Sequence, residues 1–427
     1  MQEALLQYIW KQSLFEKNDY IADTGETIKI LHPGILNTDG GPDFTNAKIL
    51  IDNTVWAGNV EIHLKSSDWE KHGHNKNGAY NNVILHIANS IDSICTNLKG
   101  RRIPSIILKY DISIEHKYRK LLAEEKRIAC SGSLPEIDKS LISFWFSALA
   151  VERLYEKTDY IKNLLTTTNN NWEETYYIHL SRSFGNKINS IPFELLAKST
   201  PLKILAIHCN NLFQLEALLF GQAGFLEGEA RDEYQLKLQD EYKFLKSKYQ
   251  LKNIDINLWK FLRLRPSNFP TIRLAEFSNL IYKSRSLLSK TLGCNKIEEV
   301  QELYDCSVGE YWQNHYLFGK ESKHRNKTLG IASINGFIIN SIVPFMFVYG
   351  DHKNNEELKE HSVRFLEQLP AEKNNISEEW VNYGIKPAHA ADSQALLQLT
   401  NEYCKHKRCL DCQIGNLILS KKSYEGN

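Results

Sequence analysis

The hydrophobic residues of this chain change their period about a quarter of the way along. In residues 27–31, 47–51, 54–65 and 82–88, and again over 103–110, β-branched and apolar residues alternate in short runs separated by turn chemistry such as Gly40-Gly41-Pro42 and Asp52-Asn53, which reads as strands. Ahead of them Leu5, Leu6, Ile9, Trp10 and Leu14 recur at helical spacing, so the chain opens on an amphipathic helix. From residue 113 onward the apolar positions recur every three or four residues, with strong runs at 115–127, 139–165, 172–184, 202–219, 229–249 and 275–291. The pattern predicts an α+β chain. Residues 1–112 form a helix and a small mixed sheet, and residues 113–427 form a mainly α-helical domain ending in a cysteine-rich segment.

At 427 residues the chain has ample length for more than one core. Its 52 Lys and Arg balance 51 Asp and Glu, so no global field draws it to nucleic acid or to an anionic membrane, and any such contact must be a local patch. Residues 1–15 carry acidic Glu3 and no unbroken apolar stretch, unlike a secretory signal. The most apolar segment, 331–349, is interrupted by Asn335, Gly336, Asn340 and Pro344 and reads as buried structure, not as a membrane span. Most of the eight cysteines are widely scattered, the usage of a reducing compartment. Together these features predict a cytoplasmic protein with no membrane partner, and the abundance of Asn, Lys and Ile suggests an AT-rich bacterial genome. No phosphate-binding Gly-Lys-Ser/Thr loop, Gly-x-Gly-x-x-Gly or Gly-x-Ser-x-Gly elbow occurs, so nucleotide-driven and serine-hydrolase chemistry lose their usual support.

Reactive side chains are densest in the strand region: Asp39, then Pro42-Asp43-Phe44, then Glu61-Ile62-His63-Leu64-Lys65, Asp68-Trp69, His72, His74 and His86. Strand alternation sets Glu61, His63 and Lys65 on one face. A hairpin turning at Asp52-Asn53 brings the strand that follows Asp43 beside the one carrying Glu61. Two carboxylates from neighbouring strands suit Mg²⁺ or Mn²⁺. The imidazoles of His63, His72, His74 and His86, with Glu61 or Asp68, offer a rival site that favours zinc or iron. The plain alternative is that Asp43 caps a turn and the histidines are satisfied sheet or loop residues.

This series resembles the core of the PD-(D/E)XK nucleases, in which an opening helix precedes a Pro-Asp pair entering a strand, a hairpin, and an acid two positions before a basic residue on the next strand. The resemblance implies a restriction-endonuclease-like fold for the first 110 or so residues. Asp43 and Glu61 would be metal ligands and His63 would stand where the family has lysine, with Lys65 as a substitute cation. Over its whole length the chain also resembles a family of Bacteroidetes proteins of unknown function marked by the same Gly-Pro-Asp-Phe, Val-Glu-Ile-His, Asp-Trp and His-x-His series.

Two later segments stand out. Cys404, Cys409 and Cys412 lie within nine positions, spaced so that a turn and the end of a preceding helix present three thiolates to one ion. His406, Cys130, Cys294 or Cys306 is left as the fourth ligand, and Zn²⁺ or a four-iron cluster as the occupant. Arg263, Arg265 and Arg273 flank a proline-stiffened turn with Asn268 and Phe269, a pattern able to clamp phosphates and stack a base. The sequence therefore predicts a metal-dependent nuclease or a nuclease-like protein that binds DNA or RNA. The alternative is a non-catalytic helical scaffold with an inert sheet and a structural metal.

Overall fold

A computed structural model of the chain describes residues 2–421. The contacts divide them into two compact units. The first comprises the residues up to 142 together with those from 399 on, and the second comprises residues 143–398.

The first unit opens with α1 (Glu3–Lys11), whose Leu5, Leu6, Ile9 and Trp10 are buried. Seven strands follow in one mixed sheet: β1 (Tyr20–Ile21), β2 (Thr27–His32), β3 (Ile35–Leu36), β4 (Phe44–Ile51), β5 (Thr54–Lys65), β6 (Val83–Ser90) and β7 (Ser105–Ile107). Their order is β1-β2-β4-β5-β6-β7, with β3 paired to β4. Pairing is antiparallel from β1 to β5 and parallel from β5 to β7. The β4–β5 hairpin turns at Asp52-Asn53, where Ile51 faces Thr54 and Asp52 takes a positive φ of 49°, a conformation Asp tolerates better than most residues. Gly58 lets β6 approach, because a Cβ there would lie 2.5 Å from the Ile84 side chain and 2.7 Å from the Asn82 carbonyl.

The change of period near residue 112 falls inside this unit. Helix α3 (Ser113–Ala123) turns Ile114, Tyr118 and Leu121 into the same core as α1 and the sheet, so a period of 3.6 there marks a helix added to the sheet's core. The chain leaves the unit within the long helix Lys139–Thr167. It returns to contribute Leu419, from the helix Gln413–Ser420, to that same core.

The second unit is built of helices, with one short hairpin at His315–Leu317 and Lys320–Glu321. Two runs expected as single helices are broken. Asn211 caps a new helix through its side chain, which splits 202–219 into Leu202–His208 and Leu212–Gln222. Pro270 starts the next helix earlier than the periodicity suggested, and left-handed Ser286 separates Pro270–Lys283 from Leu287–Gly293. The apolar segment Ile331–His352 is a helix with a π turn at Ile338–Ile342. An 18-residue window of it is 67% buried within the fold, and Phe345 packs against Trp172, Tyr176 and His179. It is a core helix of this unit.

Candidate metal centre

Antiparallel pairing sets Phe44 opposite Val60, which brings the residue before β4, Asp43, alongside Glu61. The two are laced through the backbone. The Asp43 N–H donates to Glu61 Oε2 at 2.9 Å, and the Ile62 N–H donates to Asp43 Oδ2 at 3.0 Å. Val60 and Ile62 point into the hydrophobic core and are fully buried. Glu61 and His63 therefore share the other face, where β6 adds His86 in register with Glu61.

The chain after β5 folds back over this face. Helix α2 (Asp68–Lys71) and two single turns, His74–Lys76 and Gly78–Tyr80, deliver His72 and His74. A small core of Trp69, Tyr80, Val83, Cys95 and Ile103 holds that stretch down. Tyr80 stacks on the His74 ring at 3.9 Å between centroids, and Trp69 meets His74 and His86 edge-on while its indole N–H donates to the Thr96 carbonyl at 2.9 Å.

Ligand nitrogens of His63, His72 and His74 lie within 4.8 Å of one another. Nε2 of His63 is 3.6 Å and Nε2 of His74 is 3.2 Å from Glu61 Oε1, and His72 Nδ1 is 3.2 Å from His63 Nε2. Behind them His63 Nδ1 meets His86 Nε2 at 3.0 Å, and His86 Nδ1 meets Ser105 Oγ at 3.2 Å. This chain of contacts fixes the His63 ring and leaves its Nε2 turned toward Glu61.

Burial, reinforced by Asp43 and Glu3, lifts the Glu61 carboxyl to about 8, and burial also raises Asp43. Burial and the neighbouring imidazoles push His63 down to about 3, and burial lowers His74 and His86 to about 4. At neutral pH His63, His74 and His86 are thus uncharged, the form that ligates, and the Glu61 carboxyl holds a proton that a dication would replace. Nε2 of His74 is buried with no hydrogen-bond partner, although Glu61 Oε1 is close by. A buried nitrogen without a hydrogen-bond partner beside a buried carboxyl oxygen is satisfied either by that carboxyl's proton or by a cation that displaces it. Three imidazoles and two carboxylates fit Mn²⁺ or Zn²⁺ more readily than Mg²⁺, which prefers oxygen alone.

Of the residues singled out in the sequence, the fold gathers Asp43, Glu61 and His63, together with His72, His74 and His86. Lys65 is not gathered with them. It ends β5 exposed, and its backbone N–H donates to Asp68. Two residues were missed: Glu3, whose charge bears on Glu61, and Gln7, whose side chain hydrogen-bonds Asp43. They lie four apart on α1, so helical spacing alone puts them on one side.

Arg263 and Arg265 are exposed, but Arg273 is not part of a phosphate-facing triad with them. It is 5% exposed, donates to Glu276 at 2.8 Å and to Asn268 at 2.6 Å, and is committed to a buried ion pair. Cys404, Cys409 and Cys412 do converge, and with Cys130 they line one small cavity of about 20 Å³. His406 is exposed and does not line it, whereas Cys294 and Cys306 belong to the second unit.

Fold and site together define an α+β protein with a buried carboxylate–imidazole cluster on one face of a mixed sheet. The chain belongs to the DUF2851 family, described as "protein of unknown function", whose family model matches residues 3–375. That span takes in the whole Asp43 to His86 series and Cys130, and it ends before Cys404. No curated protein and no solved structure matches the chain.

Proposed function

We propose that the first unit is a metal-dependent phosphodiesterase, a nuclease, acting on DNA or RNA. The observation that carries the metal is the orphaned His74 Nε2, buried 3.2 Å from Glu61 Oε1 beside two further imidazoles. The observations that support phosphodiester chemistry are the Pro42-Asp43 pair entering β4, the hairpin, and the acid two positions before His63 on the adjoining strand β5, the arrangement of the nuclease core that the sequence resembles.

In this reading Asp43, Glu61 and His74 hold one divalent cation, Mn²⁺ ahead of Mg²⁺ because nitrogen is among the ligands. When bound, such an ion supplies Lewis-acid polarisation and an acidified water. His63, kept neutral by burial and anchored through His86, accepts a hydrogen bond from the attacking water. His72, exposed at the rim, is the imidazole nearest to solvent and to an entering substrate. In the second unit, taken by itself, exposed Arg263 and Arg265 are proposed as phosphate contacts.

The second reading, a non-catalytic scaffold, is favoured by one observation: Lys65 is exposed at the strand end and no lysine replaces His63. The test is cleavage of single- and double-stranded DNA and RNA by full-length protein with Mn²⁺, Mg²⁺ or Zn²⁺. Metal-dependent cleavage that Asp43→Asn and Glu61→Gln abolish, with circular dichroism unchanged, supports the nuclease. Equal cleavage by wild type and both variants, or none by any, leaves the scaffold.

A further inference from the structure

A second group of ligating side chains lies in the first unit, in parts of the chain far apart in sequence. Cys130 sits just before the chain departs for the second unit, and Cys404, Cys409 and Cys412 sit just after it returns. All four line the same small cavity together with Leu121, Tyr403 and Gly415.

The local backbone is shaped to bring the thiols there. Cys404 closes the π turn Leu399–Cys404. Lys407 takes a positive φ of 53°, which reverses the chain so that Cys409 comes back over the turn. Cys412 then stands at the N-cap position of the helix Gln413–Ser420, and Gly415 on its first turn is pressed against the cysteine loop so closely that a Cβ there would lie 2.0 Å from the Cys409 carbonyl oxygen. Only glycine permits that approach.

Cys130, Cys404 and Cys409 form no disulfide. Cysteines that serve only as small apolar packing are expected to fill space, not to surround a gap, since a void forfeits the dispersion contacts of its lining. Basic groups stand nearby to offset an anionic centre. The Lys407 ammonium donates to the Glu124 carbonyl at 2.5 Å, and the Arg408 guanidinium lies 4.7 Å over the Tyr403 ring.

We propose that Cys130, Cys404, Cys409 and Cys412 form one closed four-thiolate centre for a thiophilic metal, either a single zinc ion or an iron–sulfur cluster. Cys130 is the fourth ligand, so the centre fastens the stretch where the chain leaves the first unit to the stretch where it re-enters. Four ligands leave no open position for a substrate, so a zinc ion there would be structural. The site is independent of the carboxylate–imidazole cluster, and its readout is metal content, whatever the outcome of the nuclease test.

The experiment is anaerobic purification of the full chain, followed by zinc, iron and acid-labile sulfide analysis and an absorbance scan. Iron with sulfide and a band near about 400 nm, or one equivalent of zinc without either, supports the centre and says which metal fills it. Glu61→Gln keeps that metal and Cys130→Ser loses it, while Cys209→Ser, in the second unit, does not. Since Cys130→Ser can fail by unfolding, the wild type is also alkylated under native conditions before and after chelation, and the labelled cysteines are mapped by mass spectrometry. Protection confined to these four thiols and released by the chelator agrees with the proposal. A metal-free protein that takes up neither zinc nor iron and sulfide, a disulfide among the four, or full metal content in folded Cys130→Ser overturns it.

Discussion

Nε2 of His74 lies 3.2 Å from Oε1 of Glu61, and that buried nitrogen has no hydrogen-bond partner. A neutral imidazole nitrogen facing a carboxylate oxygen at this distance needs either a shared proton or a shared cation, and leaving both unmet costs about 1–3 kcal/mol. The His63 and His72 nitrogens beside them make the cation the better match.

His74→Phe separates ligation from packing. The phenyl ring keeps the stacking on Tyr80 and the edge contact with Trp69 but carries no lone pair. Urea unfolding is expected to stay within about 1.5 kcal/mol of wild type, while Mn²⁺ titration calorimetry shows a large loss of affinity.

Trp69→Ala removes the anchor of the loop that carries His72 and His74. The indole is 1% exposed and donates to Thr96, so the variant loses roughly 3–5 kcal/mol of stability by chemical denaturation. Its metal affinity falls as well, because the imidazoles lose their fixed direction.

Arg273→Ala and the pair Arg263→Ala/Arg265→Ala have opposite signatures. The first strands Glu276 as a buried, unpaired carboxylate and costs about 3–5 kcal/mol of stability. The second alters only exposed side chains, so it leaves the unfolding midpoint unchanged, weakens nucleic-acid binding and flattens its salt dependence. Filter binding at several salt concentrations beside denaturation curves distinguishes the two.

Acid weakens the second unit through His179. This fully buried ring accepts no proton until about pH 4, because burial disfavours its charged form, and its Nδ1 has no hydrogen-bond partner. The unfolded chain binds the proton near the ordinary value of 6.5, so stability from this group is complete above that pH and drains away as pH falls toward 4. The loss approaches roughly 3 kcal/mol. Urea midpoints between pH 7 and 4 are expected to fall more steeply for wild type than for His179→Asn.

Much of the strand region was legible because its signals are local. Alternation fixed the faces of β5, and Asp52-Asn53 marked the hairpin that brings Asp43 to Glu61. The limits of the first unit were not legible, because α3 carries the same helical period as the second unit while Ile114, Tyr118 and Leu121 pack with the sheet. Arg273 looked like its neighbours Arg263 and Arg265, since nothing local distinguishes an exposed guanidinium from one turned inward to Glu276. Cys130 stood among several equivalent candidates for a fourth thiol, and only the folded chain places it against the cavity that Cys404, Cys409 and Cys412 line. Glu3 and Gln7 carried a readable signal in their four-residue spacing, but their relation to Asp43 depends on how α1 lies against the sheet.

Whether Asp43, Glu61 and His74 share one divalent cation is read by electron paramagnetic resonance of Mn²⁺ titrated into the full-length protein, where bound ion is taken from the lost signal of free ion. One tightly held Mn²⁺ per wild-type chain, absent from Asp43→Asn, Glu61→Gln and His74→Phe, is the expected outcome. Wild type that holds no Mn²⁺, or variants that hold it as well as wild type does, would rule the shared cation out.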